Sequence, residues 1–166
     1  MNYLKISNFD TANGLGIGVV LWVSGCSHHC PQCHNPQTWN YNVGKEFTEE
    51  TFSYLLESLD RPYINRLTFS GGDPLSLKNR KIVKCIAKRA KEKFPNLKVW
   101  CYTGYTFEEL PKDLLEYFDI LVDGKFEINK KDITLDFRGS SNQRLIDLTK
   151  TLKVGKVVEW ENNNVS

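Results

Sequence analysis

The chain has 166 residues and a formal net charge of +2, with 40% apolar and 25% charged residues. This composition is typical of one soluble globular domain with a substantial core, and the charge is too small to indicate nucleic acid as a partner. No apolar run approaches the roughly 20 residues that span a bilayer, so the sequence gives no support for a membrane role.

The first distinctive feature in chain order is a loop with three cysteines directly after an apolar, strand-like segment at residues 19–23. Cys26, Cys30 and Cys33 have the spacing C-x3-C-x2-C. Three thiolates can hold three irons of a [4Fe–4S] cluster, whereas a stable cluster normally takes four cysteine ligands. The spacing therefore indicates an iron–sulfur site whose fourth iron is open for chemistry.

Structural zinc is the alternative for this loop, with one of His28, His29 or His34 as the fourth ligand. Zinc sites usually divide their ligands into two short pairs, and the other two cysteines, Cys85 and Cys101, stand alone. A disulfide framework is opposed by the odd number of five cysteines and by the lack of a secretory pattern. We therefore expect reduced thiols and a cytoplasmic location.

After the cysteine loop, segments with helical and strand patterns alternate. The predicted strands are residues 66–70, 97–102 and 120–123 and, with weaker patterns, 133–137 and 157–160. The predicted helices are a segment capped by Thr48, residues 78–93, two short helices that begin at Thr106 and Pro111, and residues 143–151.

This alternation predicts an α/β fold with a mainly parallel sheet. A closed eightfold barrel takes about 250 residues, so this chain would form a partial, open (β/α) barrel of about five or six units. We expect residues 1–161 to form this one domain and residues 162–166 to be a loose tail. Functional loops follow the carboxyl ends of strands in such sheets, where the chain places the cysteines, residues 71–73, residues 103–105 and residues 123–124.

The predicted helix at residues 78–93 carries eight basic residues. We interpret these as a solvated helix face rather than a nucleic-acid surface, because apolar residues form a stripe beside them. The predicted stripe consists of Ile82, Val83, Ile86 and Ala90. Cys85, on the inward side of the helix, and Cys101, on a strand, are expected to be small core residues.

The cysteine run and the motif Gly71-Gly72-Asp73-Pro74 after a strand together resemble the radical S-adenosylmethionine enzymes. Within that superfamily, the chain resembles the family of activating proteins of the anaerobic ribonucleoside-triphosphate reductase. The resemblance runs nearly end to end and is carried by residues 10–14, 23–35, 70–75, 102–105, 121–126 and 138–144.

The resemblance implies that Cys26, Cys30 and Cys33 bind a [4Fe–4S] cluster whose fourth iron binds S-adenosylmethionine. An electron from a low-potential donor such as a flavodoxin would cleave this cofactor, and the 5′-deoxyadenosyl radical would take hydrogen from a glycine of the large reductase subunit. The implied enzyme is an oxidoreductase that leaves a glycyl radical on its protein substrate, with the chemistry supplied by cluster and cofactor.

The resemblance also assigns residues to the cofactor. Gln32, Cys33 and His34 match the segment that lines the adenine, and Gly71, Gly72 and Asp73 match the turn that meets the methionine moiety. Glycines also suit a close backbone approach to a ligand. From the residues alone, the alternatives are an ordinary turn for the glycines and a surface or packing role for His34.

Four other polar residues are open to several interpretations. Thr103, Tyr105 and Asp123 lie at strand ends, where turn formation or contact with a partner would explain them. Arg138 would bind a carboxylate or form a surface ion pair.

Two other functions remain as alternatives. One is the activation of a different glycyl radical enzyme, such as pyruvate formate-lyase, and the other is a zinc-stabilised binding module. An incomplete barrel favours a protein substrate, because a large partner can cover the open flank against water.

Overall fold

The computed structural model describes residues 1–162, and its strands form one sheet. In chain order the strands are β1 (Asn2–Asp10), β2 (Gly18–Val23), β3 (Lys45–Glu46), β4 (Arg66–Gly71), β5 (Lys98–Tyr102), β6 (Ile120–Asp123) and β7 (Arg144–Asp147). The α-helices are α1 (Glu49–Leu59), α2 (Arg80–Lys93) and α3 (Leu148–Val154). Short 3₁₀ turns lie at Pro36–Thr38, Phe107–Glu109, Lys112–Leu115 and Ile128–Lys130.

The sheet has the order β3-β1-β2-β4-β5-β6-β7 and does not close on itself. Strands β2, β4, β5 and β6 are parallel neighbours, while β1 and β3 on one side and β7 on the other are antiparallel. The predicted open α/β fold with a mainly parallel sheet is therefore confirmed. Its parallel part has four strands, and antiparallel strands rather than further βα units complete the sheet.

Local sequence signals explain helix α1. The Thr48 hydroxyl accepts a hydrogen bond from the Thr51 amide at 3.3 Å and caps the helix, as predicted. Phe52, Leu55 and Leu59 are buried at helical spacing. These contacts fix α1 against the sheet, whose central strands β2 and β4 are buried along almost their whole length.

Several predictions for the later part of the chain are wrong. Residues 133–137 form no strand but part of an irregular segment, residues 127–143, that joins β6 to β7. The helix predicted at residues 143–151 is β7 followed by α3, because Leu145 and Ile146 pair with the edge of β6 and Asp147 caps the helix.

Three further differences concern short elements. The strand predicted at residues 157–160 contributes a single bridge, between Ile146 and Glu159. The short helices predicted from Thr106 and Pro111 are 3₁₀ turns. Strands β1 and β3 have no counterpart in the prediction, since β1 is only half-buried and its sequence shows no strong alternation.

Helix α2 also differs from the prediction in its buried face. Val83, Ile86, Ala87 and Ala90 are buried, whereas Ile82 is 38% exposed. Cys85 is exposed as well, so its assignment to the core is wrong, while Cys101 is buried as predicted. The reason is angular: the buried positions recur at three, four and seven residues from Val83, so Ile82 lies at the edge of that stripe and Cys85 lies on nearly the opposite face of the helix.

A loose tail was expected at residues 162–166, but residues 163–166 lie outside the described residues, so this expectation stays a prediction. Within residues 1–162, none of the helices combines the length and apolarity that crossing a membrane would require.

Candidate active site

A cleft of about 540 Å³ opens at the carboxyl ends of the parallel strands. This volume lies within the range of about 300–1,000 Å³ that is usual for sites of small ligands and cofactors. The wall of the cleft contains nearly all the residues that the sequence proposes for the site. They are Cys26, Cys30, Cys33, His34, Gly71, Gly72, Asp73, Thr103 and Arg138.

The cysteine loop is closed by backbone hydrogen bonds at its base. The amide of Gly25 donates to the carbonyl of Thr38 at 2.6 Å, and the amide of Cys26 donates to the carbonyl of Trp39 at 3.0 Å. Between these anchors, His29 and Gln32 have φ angles of 49° and 57°. Non-glycine residues adopt this left-handed conformation at a cost, and it is concentrated at functional sites.

The three loop cysteines are partly buried free thiols. Burial raises the pKa of the Cys26 and Cys30 thiols, and the Asp73 carboxylate adds to this effect at Cys26. Amide donors act in the opposite direction, since the backbone N–H groups of His28 and His29 donate to the Cys26 sulfur. Three thiols on one wall of a cleft are a donor set that suits an iron–sulfur cluster with one open iron.

A mononuclear metal has a competing set of donors. Cys26, His28 and Asp73 offer ligand atoms that all lie within 4.8 Å of one another. However, His28 Nε2 lies 2.6 Å from Asp73 Oδ2, so these two groups already bind each other. A metal there would have to break this contact and would use only one of the three loop cysteines.

The turn after β4 is packed tightly against the cysteine loop. A Cβ at Gly72 would lie 2.4 Å from the carbonyl oxygen of Gly25, and a Cβ at Gly71, with φ +106°, would lie 2.6 Å from that of Val23. The amide of Gly72 donates to the carbonyl of Val23 at 2.9 Å, and the amide of Asp73 donates to that of Gly25 at 2.8 Å. The glycines are therefore required by packing between the turn and the loop, a reason that the sequence does not reveal.

Asp73 is 2% exposed, and its carboxylate is surrounded by groups of the chain itself. It accepts hydrogen bonds from the Leu75 amide at 2.8 Å, the Thr103 hydroxyl at 2.9 Å and the Gly104 amide at 3.0 Å. His28 occupies the remaining side. Asp73 thus joins the ends of β4 and β5 to the cysteine loop.

The other polar residues have distinct positions. Asp123 is 1% exposed, and it accepts hydrogen bonds from the Phe107 amide at 2.8 Å and from Arg144 Nε at 3.0 Å, so it stabilises a corner of the fold outside the cleft. Tyr105 packs edge-on against His28, with 4.7 Å between the ring centroids. Gln32 is exposed and does not line the cleft.

Two residues of the cleft have buried polar atoms without a hydrogen-bond partner in the described part of the chain, namely Trp39 Nε1 and Arg138 Nε. Buried donors are normally satisfied, so both atoms require an acceptor from outside the described residues, such as water or a bound molecule. A second nitrogen of Arg138, Nη1, donates to the Gln143 carbonyl at 3.0 Å. Arg138 forms no ion pair within the described residues, so the surface ion pair considered from the sequence is not formed, and its binding of a carboxylate stays a prediction.

Sequence reasoning left out several residues of the cleft wall. They are Trp39, Tyr102, Lys125, Phe126 and Phe137. Lys125 and Phe126 follow the end of β6, a position that signals a functional loop. Trp39 and Phe137 lie in irregular segments and carry no such signal.

Comparisons with known proteins agree with the thiol site. Residues 12–146 match a family model described as a 4Fe-4S single cluster domain. An anaerobic ribonucleoside-triphosphate reductase-activating protein of Enterobacteria phage T4 is 43% identical over 146 residues, which are 87% of this chain and 93% of the relative. Proteins of the same name are 40% identical in Pasteurella multocida strain Pm70, over 90% of this chain and 99% of theirs, and 38% identical in Escherichia coli strain K12, over 86% and 96%.

The extent and identity of these matches settle the family. With the three-thiol cleft at the carboxyl ends of its strands, the chain belongs to the anaerobic ribonucleoside-triphosphate reductase-activating proteins, a family of iron–sulfur enzymes.

Proposed function

We propose that this protein activates an anaerobic ribonucleoside-triphosphate reductase by reductive cleavage of S-adenosylmethionine at a [4Fe–4S] cluster. The product is a glycyl radical on the large subunit of the reductase. The observation that carries the proposal is the set of three free thiols in a cleft next to the Gly71-Gly72 turn, in a chain that matches a 4Fe–4S domain over residues 12–146.

The residues that line the cleft indicate separate roles for the protein and for the groups that it binds. Cys26, Cys30 and Cys33 bind three irons of the cluster, and residues 1–161 form the one activase domain. When bound, the cluster and S-adenosylmethionine would supply the redox chemistry, namely one-electron cleavage of the sulfur–C5′ bond, with methionine as the leaving group, and removal of a hydrogen atom from glycine. The protein binds both groups, orients them and excludes water.

Residues next to the thiols would bind the cofactor. Gly71 and Gly72 present main-chain groups to the methionine moiety, and Cys33 and His34 border the adenine, whereas Gln32 is exposed outside the cleft wall. His34 packs against Phe126, with 5.0 Å between the ring centroids, which extends an aromatic wall for a base. Asp73 acts on the cofactor indirectly, since its carboxylate holds the turn that contains both glycines.

Arg138 and Trp39 are proposed to bind polar groups of the cofactor. Each has a buried N–H without a protein acceptor in the described residues, and both line the cleft. A guanidinium is well suited to a carboxylate, such as that of the methionine moiety. With the cofactor bound in this way, the unpaired N–H groups of Arg138 and Trp39 would both have an acceptor.

The partner of the reaction is a protein, because the sheet is open and the cleft is exposed on one side. A docked reductase would cover that side and protect the radical from water. The electron comes from outside this chain, and we propose a low-potential carrier such as a flavodoxin as the donor.

The test is anaerobic purification followed by reconstitution with iron and sulfide. We expect a brown protein with close to four irons per chain, which binds S-adenosylmethionine and, once reduced with dithionite, forms 5′-deoxyadenosine in the presence of the reductase. Electron paramagnetic resonance should show a glycyl radical on the reductase, and deuterium on the target glycine should appear in 5′-deoxyadenosine.

Two results would overturn parts of the proposal. A colourless protein with bound zinc and no iron would indicate the zinc-stabilised binding module instead. A radical that forms on pyruvate formate-lyase and not on the reductase would keep the chemistry but change the substrate.

A further inference from the structure

The cysteine loop has a second attachment besides its backbone anchors, and a histidine side chain makes it. His28 Nε2 lies 2.6 Å from Asp73 Oδ2, and the two side chains are 8% and 2% exposed. The two residues are 45 positions apart in the sequence. This buried contact therefore ties the middle of the cysteine loop to the turn after β4.

The Asp73 end of this contact is rigidly held. Its carboxylate accepts hydrogen bonds from the Leu75 amide, the Thr103 hydroxyl and the Gly104 amide, with distances of 2.8 to 3.0 Å. Charge-assisted hydrogen bonds of this kind are roughly twice as strong as neutral ones. The carboxylate is thus a fixed point from which the loop is held.

The imidazole of His28 is also enclosed on its flanks. A Cβ at Gly104 would lie 2.5 Å from His28 Cδ2, so glycine is needed to leave room for the ring. The ring of Tyr105 packs on it edge-on, with 4.7 Å between the centroids. The ring therefore has one position in the fold, set by its neighbours and by Asp73.

The same residue lies next to the cluster site. His28 is two positions after Cys26 in the cysteine loop, so fixing its imidazole also fixes the backbone beside this thiol. We propose that His28 is a positioning residue: held by Asp73, it fixes the backbone beside Cys26 and pre-orders the loop for the cluster.

This inference rests on the proposed role of Cys26 as a cluster ligand, but the order of the loop can be measured without any cluster. His29 provides a matched control. It is the next residue, but its side chain is exposed and stacks on Trp39, with 4.5 Å between the centroids. Asparagine is chosen for the control because it tolerates the left-handed backbone of that position, φ 49°.

The first measurement compares the cluster-free wild-type protein with His28→Ala, His28→Gln and His29→Asn by hydrogen–deuterium exchange. In His28→Ala, exchange of amides in residues 26–34 should be about tenfold faster or more, because a buried hydrogen bond to a charged group is lost. His29→Asn should exchange like the wild type. His28→Gln should recover most of the protection, since its side-chain N–H₂ can donate to Asp73.

The second measurement uses the reconstituted protein. His28→Ala should lose its cluster to an iron chelator about tenfold faster than the wild type, and the resonance of the reduced cluster should change in its g values because the loop that carries the Cys26 ligand is no longer held by Asp73. His28→Gln should keep the wild-type spectrum. A role in general stability alone would not alter the spectrum of the folded protein.

A double-mutant cycle tests the pairing with Asp73. Asp73→Asn removes the charge, and adding His28→Ala to that variant should have little further effect on exchange in the loop. Fully additive effects would show that the two residues act independently and would overturn the proposal.

The outcomes distinguish this inference from the proposed function. If the wild type takes up no iron, the function fails, but the exchange experiment still tests the contact between the loop and Asp73. If the wild type forms the cluster and His28→Ala matches His29→Asn in exchange, chelation and spectrum, the cluster assignment stands and the positioning role is wrong. Zinc bound by the wild type and lost in His28→Ala would show that the residue is a ligand.

Discussion

The two ends of β4 both bury a charged side chain, and the two residues serve different purposes. Arg66 begins the strand, and Asp73 follows its carboxyl end. Their side chains are 0% and 2% exposed. Each side chain forms hydrogen bonds with a neighbouring loop, so the strand is fixed to a different part of the chain at each end.

At the amino end, the guanidinium of Arg66 is saturated by this chain. It donates to the carbonyls of Asp10, Asn13 and Leu15 at 2.7 to 3.2 Å, and it forms an ion pair with the Asp10 carboxylate at 3.0 Å. These contacts hold the loop between β1 and β2 against the start of β4. This end of the domain is complete without a ligand.

At the carboxyl end, Asp73 is equally well bound, but the groups around it are not. Three free thiols line the cleft, and two buried N–H donors of cleft residues, Trp39 Nε1 and Arg138 Nε, have no hydrogen-bond acceptor in the described residues. A buried charged side chain therefore serves two purposes in this strand. At the amino end, which we call the closed end, Arg66 finds all its partners within the chain. At the carboxyl end, which we call the open end, Asp73 holds the cysteine loop in place for groups that the protein must still bind.

Replacing a cluster ligand should have the largest effect on the open end. Alanine at Cys26, Cys30 or Cys33 should abolish 5′-deoxyadenosine and glycyl radical formation, because two thiolates leave the cluster short of ligands. Cys85→Ala is the control, since this thiol is exposed on α2. Product analysis and electron paramagnetic resonance measure the result, and full activity in any of the three loop variants would contradict the assignment.

Removing the charge at the closed end should destabilise the whole domain. Arg66→Met keeps most of the side-chain volume but leaves Asp10 and several buried carbonyls without a donor, which should lower the free energy of unfolding by about 3–5 kcal/mol. Urea denaturation measures this loss. Arg89→Met removes an arginine whose pair with Glu49 lies at the surface and should change stability far less. Equal effects of the two substitutions would refute the contrast between a buried and an exposed arginine.

The predictability of these features from the sequence depended on how local their signals are. Helix α1 was predictable because the Thr48 cap and the apolar positions that follow lie within one short segment. Strand β7 was mistaken for part of a helix because its stability comes from pairing with the edge of β6, which no local pattern reveals. The irregular segment of residues 127–143 was likewise unpredictable, since it follows the wall of the cleft and has little regular structure.

The candidate site shows the same distinction. The cysteines were found from their spacing and the two glycines from the motif that carries the family resemblance, and their proximity followed from their positions at the ends of parallel strands. The partners of Asp73 were not predictable, because Thr103 and His28 come from segments 30 and 45 residues away. Sequence reasoning thus located the site but not the contacts that hold it.

Substitution of Gly72 should weaken the binding of both the cluster and the cofactor at the open end. Alanine places a Cβ 2.4 Å from the Gly25 carbonyl oxygen, so the turn and the cysteine loop must separate, and both iron content and S-adenosylmethionine affinity should fall. Gly155→Ala is the control: its φ is +86° but no atom lies within 4 Å of the new Cβ, so it should cost about 1 kcal/mol of stability through the backbone alone. Iron analysis and cofactor titration give the result. Normal iron content with weakened cofactor binding would show that Gly72 serves only the approach of the cofactor.

The smallest effect is expected from an exposed charge pair beside the open end. Arg144 lies 2.8 Å from Glu108, whose side chain is 60% exposed. The hydrogen bond from Arg144 lowers the pKa of Glu108 to about 2, below the value of about 4.3 in an unfolded chain. The ionised form is therefore favoured in the folded protein, so the contribution of the pair is present above about pH 4.3 and is lost as the pH falls through about 2.

Glu108→Gln should consequently lower the free energy of unfolding by less than about 1 kcal/mol at neutral pH, because solvent screens an exposed pair. Urea denaturation of both proteins between about pH 7 and pH 2 should show the difference shrinking toward the acid end, where Glu108 of the wild type is itself protonated. The buried contacts of Arg144 with Asp123 remain in both proteins and so cancel from the comparison. A difference of constant size across this range would mean that the carboxylate charge is not what stabilises this corner.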